Sequence, residues 1–165
     1  MLTLPKITTR DAVPIIGIRE KVPLADIAPT TERSFSRLFA WCGARGIAPA
    51  GAPYVRYLVI DRAGDLQLEF GMPMAEPLAG ADGFVAGELP GGRYASVTYL
   101  GPYDDLPDVN AMLIGWAREK GIVWDGSEDA DGDHFACRLE IHETDLMTET
   151  DPNQWETTVA IKLAD

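Results

Sequence analysis

The chain has 165 residues, 46% of them hydrophobic and 24% charged, with a formal net charge of −12. This length supports a real core, and the composition is ordinary for a globular protein. The acidity argues against unaided nucleic-acid binding, which needs clustered Lys and Arg, and it favours cationic over anionic ligands. No run of about 18 apolar residues is present to span a membrane. The start Met1-Leu2-Thr3-Leu4-Pro5-Lys6 lacks the organisation of a signal peptide, so the expected compartment is the cytoplasm. Cys42 and Cys137 form neither a disulfide framework nor a metal spacing and read as buried hydrophobes.

In chain order, Val13–Arg19 reads as a short apolar strand. Phe35, Leu38, Phe39 and Cys42 stand at i, i+3, i+4 and i+7, the stripe of a helix buried on one face. Thr30 or Thr31 is its expected N-cap and Gly46 its stop. Tyr54–Asp61 and Leu66–Met74 read as two strands of a hairpin joined by a turn at Arg62–Asp65. Arg93–Leu100 is a β-prone strand after Pro90-Gly91-Gly92. Leu106-Pro107 opens a second helix, with Val109, Met112, Leu113, Trp116 and Ala117 as its buried stripe and Gly121 as its end. The polar segment Asp125–Asp133 reads as a loop, Phe135–Glu143 as a strand, and Trp155–Leu163 as the last strand after an acidic connection.

Leu38-x-x-Trp41-x-Gly43-x-x-Gly46-Ile47 recurs at an offset of 75, with Gly43 aside, as Leu113-x-x-Trp116 followed by Gly121-Ile122. That period is too long for a solenoid unit. It points to a duplicated half, each copy β-α-β-β, with repeat one about 13–75 and repeat two about 90–163. The expected fold is α+β: two pseudo-symmetric repeats forming one antiparallel sheet, two helices packed on it, and a ligand cleft between the halves.

Pro90-Gly91-Gly92-Arg93-Tyr94-Ala95, Gly101-Pro102-Tyr103-Asp104-Asp105-Leu106 and Leu113-x-x-Trp116 come in order along the second half. Arg138-Leu139-Glu140-x-His142 and Asp151-Pro152-x-x-Trp155-Glu156-Thr157 follow. This ordered set resembles the GyrI-like small-molecule-binding family, the effector-binding domain also attached to AraC-type and multidrug-responsive regulators. The resemblance implies a single GyrI-like effector-binding domain over residues 1–165 and a cleft for hydrophobic, often cationic compounds. It also implies a buried cleft acid, at the position of Glu140. Members often carry a second acid in a Thr-Glu-aliphatic pattern, where this chain reads Thr157-Thr158-Val159. Glu156 shares strand parity with Thr158.

In the Phe135–Glu143 strand, Arg138, Glu140 and His142 alternate with Leu139 and Ile141, so one face is ionisable and the other apolar. Read from the strand alone, that face is solvated, with Arg138 pairing Glu140. Read with the resemblance, Glu140 is a cleft carboxylate. Aromatic walls would add cation–π attraction of about 0.5–2 kcal/mol per ring. The candidate rings are Trp116, Trp155, Tyr57, Tyr103 and Phe70, with His142 as a further candidate. In the first half, Arg56-Tyr57-Leu58 aligns with Arg138-Leu139-Glu140, so Leu58 answers Glu140.

No metal site is expected, because His134 and His142 lack a zinc spacing and the Asp125–Asp133 run departs from the calcium-loop order. No cofactor is expected, and neither histidine suits haem ligation. Three functions remain. The leading one is a stand-alone binder that sequesters or senses a hydrophobic or cationic aromatic small molecule, with a protein partner or homodimer left open. The alternative is a hydrolase of the cyclopropane-ring-opening type, with Glu140 as general base. The third is an interaction protein acting on gyrase.

Overall fold

Buried residues on both sides of the central strands give the sheet two apolar faces, and the computed structural model, which describes residues 1–165, arranges ten strands as one antiparallel sheet. In chain order the elements are β1 (Lys6–Arg10), β2 (Val13–Pro23), α1 (Ile27–Ala44), β3 (Tyr54–Asp61), β4 (Asp65–Pro73), β5 (Val85–Leu89) and β6 (Gly92–Leu100). They continue as α2 (Leu106–Glu119), β7 (Gly126–Glu128), β8 (Gly132–Phe135), β9 (Arg138–His142) and β10 (Glu156–Lys162).

Strand order across the sheet is β1-β6-β10-β9-β3-β4-β2-β5. The order reads the same from either side of the β9/β3 junction, as two copies of β-α-β-β related by a pseudo-twofold axis require. The register locates that axis. Ile18, Phe70, Val55, Glu140, Val159 and Val97 form one continuous row of paired residues from β2 to β6. Val55 and Glu140 are its central pair.

The sheet also curls. β1 and β2 lie far apart in strand order yet are joined only by Asp11 and Ala12; β5 and β6 are joined only by Pro90 and Gly91. These two short links bring the sheet's ends together, and a Cβ on Gly91 would sit 2.9 Å from the Ala12 nitrogen. The inner face holds Ile15, Tyr54, Tyr94, Cys137, Leu139 and Ala160. The outer face carries the helices: α1 on Ile16, Ile18 and Met72, and α2 on Ala95, Val97, Val159 and Ile161.

Several expectations are corrected. Helix α1 begins at Ile27, before Thr30, because Pro29 is tolerated in a first turn where its missing N–H has no partner to lose. Thr30 is buried, and the Thr31 hydroxyl donates to the Ile27 carbonyl. The α1 stripe is rotated: Ser34, Leu38, Trp41 and Cys42 are buried and Phe39 is exposed. Asp125–Asp133 is no plain loop. Its ends form β7 and β8, which pair with each other, and β8 extends β3. β1 and β5, the two edge strands, were absent from the periodicity reading.

The inner face contains one buried carboxylate. Glu69 is fully buried and accepts from Arg19 Nε at 2.8 Å and from the Tyr54 hydroxyl at 2.9 Å, with Arg56 Nη1 at 3.5 Å. Its pairing is complete, as a buried carboxylate requires.

Candidate functional site

Between the two helices, the outer face of the sheet is covered by side chains of β9, β3 and the segments flanking them. Strand parity puts Arg138, Glu140 and His142 on this face together with Val55 and Tyr57 of β3 and Thr157 of β10. Glu140 and His142 are buried, at 7% and 8% exposure, so the solvated reading of this strand face fails.

The expected direct Arg138–Glu140 pair is replaced by a relay through α2. Asn110 Nδ2 donates to Glu140 Oε1 at 2.9 Å and to the Leu106 carbonyl at 2.9 Å. Arg138 Nη2 donates to Asn110 Oδ1 at 3.1 Å. A single amide thus stands between cation and anion with each end matched to its neighbour. The Arg138 guanidinium also lies over the rings of Tyr57 and Phe135, 5.4 and 5.0 Å from their centroids. Burial raises the Glu140 pKa, while Tyr57, Asn110 and Arg138 pull it back down. Burial, then the Glu140 charge, pushes the Tyr57 phenol well above its ordinary value.

Beyond Glu140 the strip becomes aromatic. His142 packs edge-on to Phe35 of α1, with centroids 5.5 Å apart, and against Tyr103 at 4.6 Å. Tyr103 in turn stacks on Trp155 at 4.6 Å. Tyr103 comes from the turn leading into α2, and Trp155 stands just before β10, its indole donating to the Glu149 carbonyl. Burial lowers the His142 pKa to about 4 and raises Tyr103 to about 12, so both are neutral at pH 7.

The sequence-derived candidates therefore divide. Glu140, His142, Tyr57, Tyr103 and Trp155 share this strip. Phe70 is a fully buried member of the central row and meets Phe35 edge-on at 6.1 Å, so it supports the strip from within the core. Trp116 packs on the α2 core cluster and stacks on none of the strip's rings. Leu58 does not answer Glu140. It lies within the irregularity at Tyr57/Val59 and borders a surface depression of about 240 Å³ with Arg19 and Gln67, whereas Val55 faces Glu140. Glu156 is exposed, with the parity of Ile141's partner Thr158, so it points away from Glu140.

Sequence reasoning missed Asn110, Phe35 and Thr157. Asn110 had a signal: it interrupts the buried α2 stripe of Leu106, Val109, Leu113 and Ala117. A polar residue in such a stripe needs a partner. A cavity of about 280 Å³ lies elsewhere, at the inner-face seam between Arg10, Leu89, Tyr94 and Leu139. No group of three His, Cys, Asp or Glu side chains converges to hold a metal. No helix is long and apolar enough to cross a membrane.

Comparison with known proteins follows this architecture. The C-terminal domain of EcmrR is 13% identical, with a TM-score of 0.69 and 98% of each chain covered. In the EcmrR–DNA complex the TM-score is 0.71 at 15% identity, and 98% of this chain spans 57% of that longer one. SAV2435 bound to tetraphenylphosphonium is 8% identical, with a TM-score of 0.69, covering 98% of this chain and 94% of that one. A hydrolase from Listeria innocua is 11% identical, with a TM-score of 0.53 and coverage of 97% and 91%. At these identities the likeness establishes a shared fold. No curated protein sequence matches the chain. The model of the GyrI-like small molecule binding domain matches residues 4–164, nearly the whole duplicated sheet, and the chain belongs to that family.

Proposed function

We propose that residues 1–165 act as one effector-binding unit that takes a hydrophobic cationic or heteroaromatic small molecule over β9, with Glu140 as its counter-ion. One observation carries this reading: in a row of six paired, buried residues, five are apolar and the sixth, at the centre, is a carboxylate. A buried acid with a raised pKa gains from a cation that restores its charged form. Phe35, Tyr103, Trp155 and Tyr57 supply apolar area and ring faces. The structure of SAV2435 contains tetraphenylphosphonium, which makes that cation a natural first probe. Sequestration, or sensing on behalf of a partner protein, follows from binding without chemistry.

Titration of tryptophan fluorescence with tetraphenylphosphonium is expected to saturate, and Glu140→Gln to weaken binding by about tenfold or more, equivalent to about 1.4 kcal/mol. Wild-type affinity is expected to fall as pH drops through the raised Glu140 pKa, where the acid becomes neutral. Glu140→Gln is expected to remove that dependence. Equal affinity for wild type and Glu140→Gln would exclude the counter-ion role.

The second reading, a hydrolase with Glu140 as general base, draws on the Listeria innocua neighbour of this fold. Glu140 is the single acid of the strip, and Glu69 belongs to the opposite face, committed to Arg19 and Arg56. Binding therefore accounts for the geometry with fewer parts. Mass spectrometry of recovered ligand separates the two: an unchanged mass supports binding, and a gain of one water supports hydrolysis.

A further inference from the structure

Three polar atoms at the aromatic end of the strip are buried without a hydrogen-bond partner: His142 Nε2, Thr157 Oγ1 and the Tyr103 hydroxyl. They form one neighbourhood. His142 and Thr157 are directly paired across β9 and β10, and the Tyr103 ring lies against the His142 ring. Thr157 is fully buried and His142 more than nine-tenths buried. Folded proteins satisfy nearly all such groups, so three together in one place need an explanation. Glu69, on the inner face, gives the contrast: its carboxylate is fully partnered.

We infer that His142, Thr157 and Tyr103 form a second, uncharged subsite that hydrogen-bonds a hydroxyl, carbonyl or amide group on the ligand, one strand repeat away from the cation held at Glu140. The inference rests on the binding reading above and adds to it a second recognition point. The chemistry is set by the groups. Neutral imidazole offers one donor and one acceptor, and the two hydroxyls each offer both, so the subsite matches a neutral polar substituent. A charged substituent would find no opposite charge there, since Glu140 stands one strand repeat away as the counter-ion of the cation and the nearest rings carry none. Alternate residues of a strand are roughly 6.6 Å apart, which is about one benzene ring plus its substituent bonds. The ligand class is therefore a cationic aromatic bearing a polar group para to its attachment, in preference to a purely apolar cation.

The experiment compares tetraphenylphosphonium with (4-hydroxyphenyl)triphenylphosphonium on wild type, Thr157→Val, His142→Phe and Glu140→Gln. Wild type is expected to bind the hydroxylated probe about fivefold to tenfold more tightly. Thr157→Val and His142→Phe are expected to erase that preference, bringing the ratio of the two affinities to about one whatever each does to tetraphenylphosphonium binding itself. Glu140→Gln is expected to weaken both probes and keep the preference. Equal binding of the two probes by wild type, or a preference that survives in both Thr157→Val and His142→Phe, overturns the subsite.

If wild type binds neither probe, the Glu140 reading fails, and a ligand-free arm still decides this one. Replacing an unpartnered buried polar group with an isosteric apolar one stabilises a fold, so Thr157→Val should melt about 2–6 °C higher than wild type at pH 7. A lower melting temperature for Thr157→Val would mean that this hydroxyl is already satisfied within the fold, and that would overturn the proposal.

Discussion

Asn110 and His142 show how single side chains set the electrostatics of the strip. Asn110 links Arg138 to Glu140, keeping a cation and an anion in one buried network without direct contact. His142 has no such partner, and burial alone holds its pKa down to about 4. An imidazole depressed in the folded state contributes stability that is complete above its unfolded value near 6.5 and is lost as pH falls through 4. Glu140 acts in the opposite sense: its raised pKa means protonation relieves a burial cost as pH falls. The two effects overlap, so the His142 contribution is read from a difference. The stability gap between His142→Phe and wild type is expected to widen in favour of the variant between pH 6.5 and 4, by up to about 3 kcal/mol. Urea unfolding of both proteins at several pH values measures it, and a gap independent of pH would show that the imidazole does not titrate in this window.

At the scale of elements, the cross-strand pair Tyr54 and Gly71 fixes how β3 meets β4. The tyrosine ring lies across the glycine, so that its hydroxyl reaches Glu69, and a Cβ at Gly71 would stand 2.4 Å from that hydroxyl and 3.0 Å from the Ile16 carbonyl. Gly71→Ala is expected to cost at least about 2 kcal/mol, because neither the buried ring nor the backbone can yield. Gly115→Ala is the control: nothing lies within 4 Å of its Cβ, and the α2 interior should gain roughly 0.5–1 kcal/mol. Chemical denaturation of the two variants tests the contrast. The same local chemistry explains what the sequence made readable. β3, from Tyr54 to Asp61, was legible to the residue because a proline-rich entry and a turn bound its apolar run. β1 and β5 were illegible because edge strands expose most of their residues and so lack a buried period. β7 and β8 escaped for another reason: their short, Gly-containing polar composition reads as loop, and the pairing of β8 with β3 is a tertiary event.

For the whole molecule, duplication is the organising fact, and it was visible in the recurrence of Leu38-x-x-Trp41 as Leu113-x-x-Trp116. The strip over β9 was only half visible. Glu140 emerged through resemblance, while Phe35 and Asn110 reach it from helices more than 25 residues away in sequence, a proximity that periodicity does not encode. The position of the axis carries one more consequence. Since Val55 and Glu140 are themselves the residues related by pseudo-symmetry, an acid in both halves would put two carboxyl groups directly opposite each other, close enough to share a single proton. Duplicated halves can therefore keep this charge in one copy only, and the axis sets the two positions side by side at the same place on the sheet. Val55→Glu combined with Glu140→Gln should transfer the acid to the other half and recover cation affinity lost in Glu140→Gln alone. Val55→Glu by itself should produce a coupled carboxyl pair that binds cations more weakly than the exchanged protein. Affinity measured across this set would reveal whether the polarity of the molecule, which half holds the charge, is an accident of descent or a requirement of the ligand.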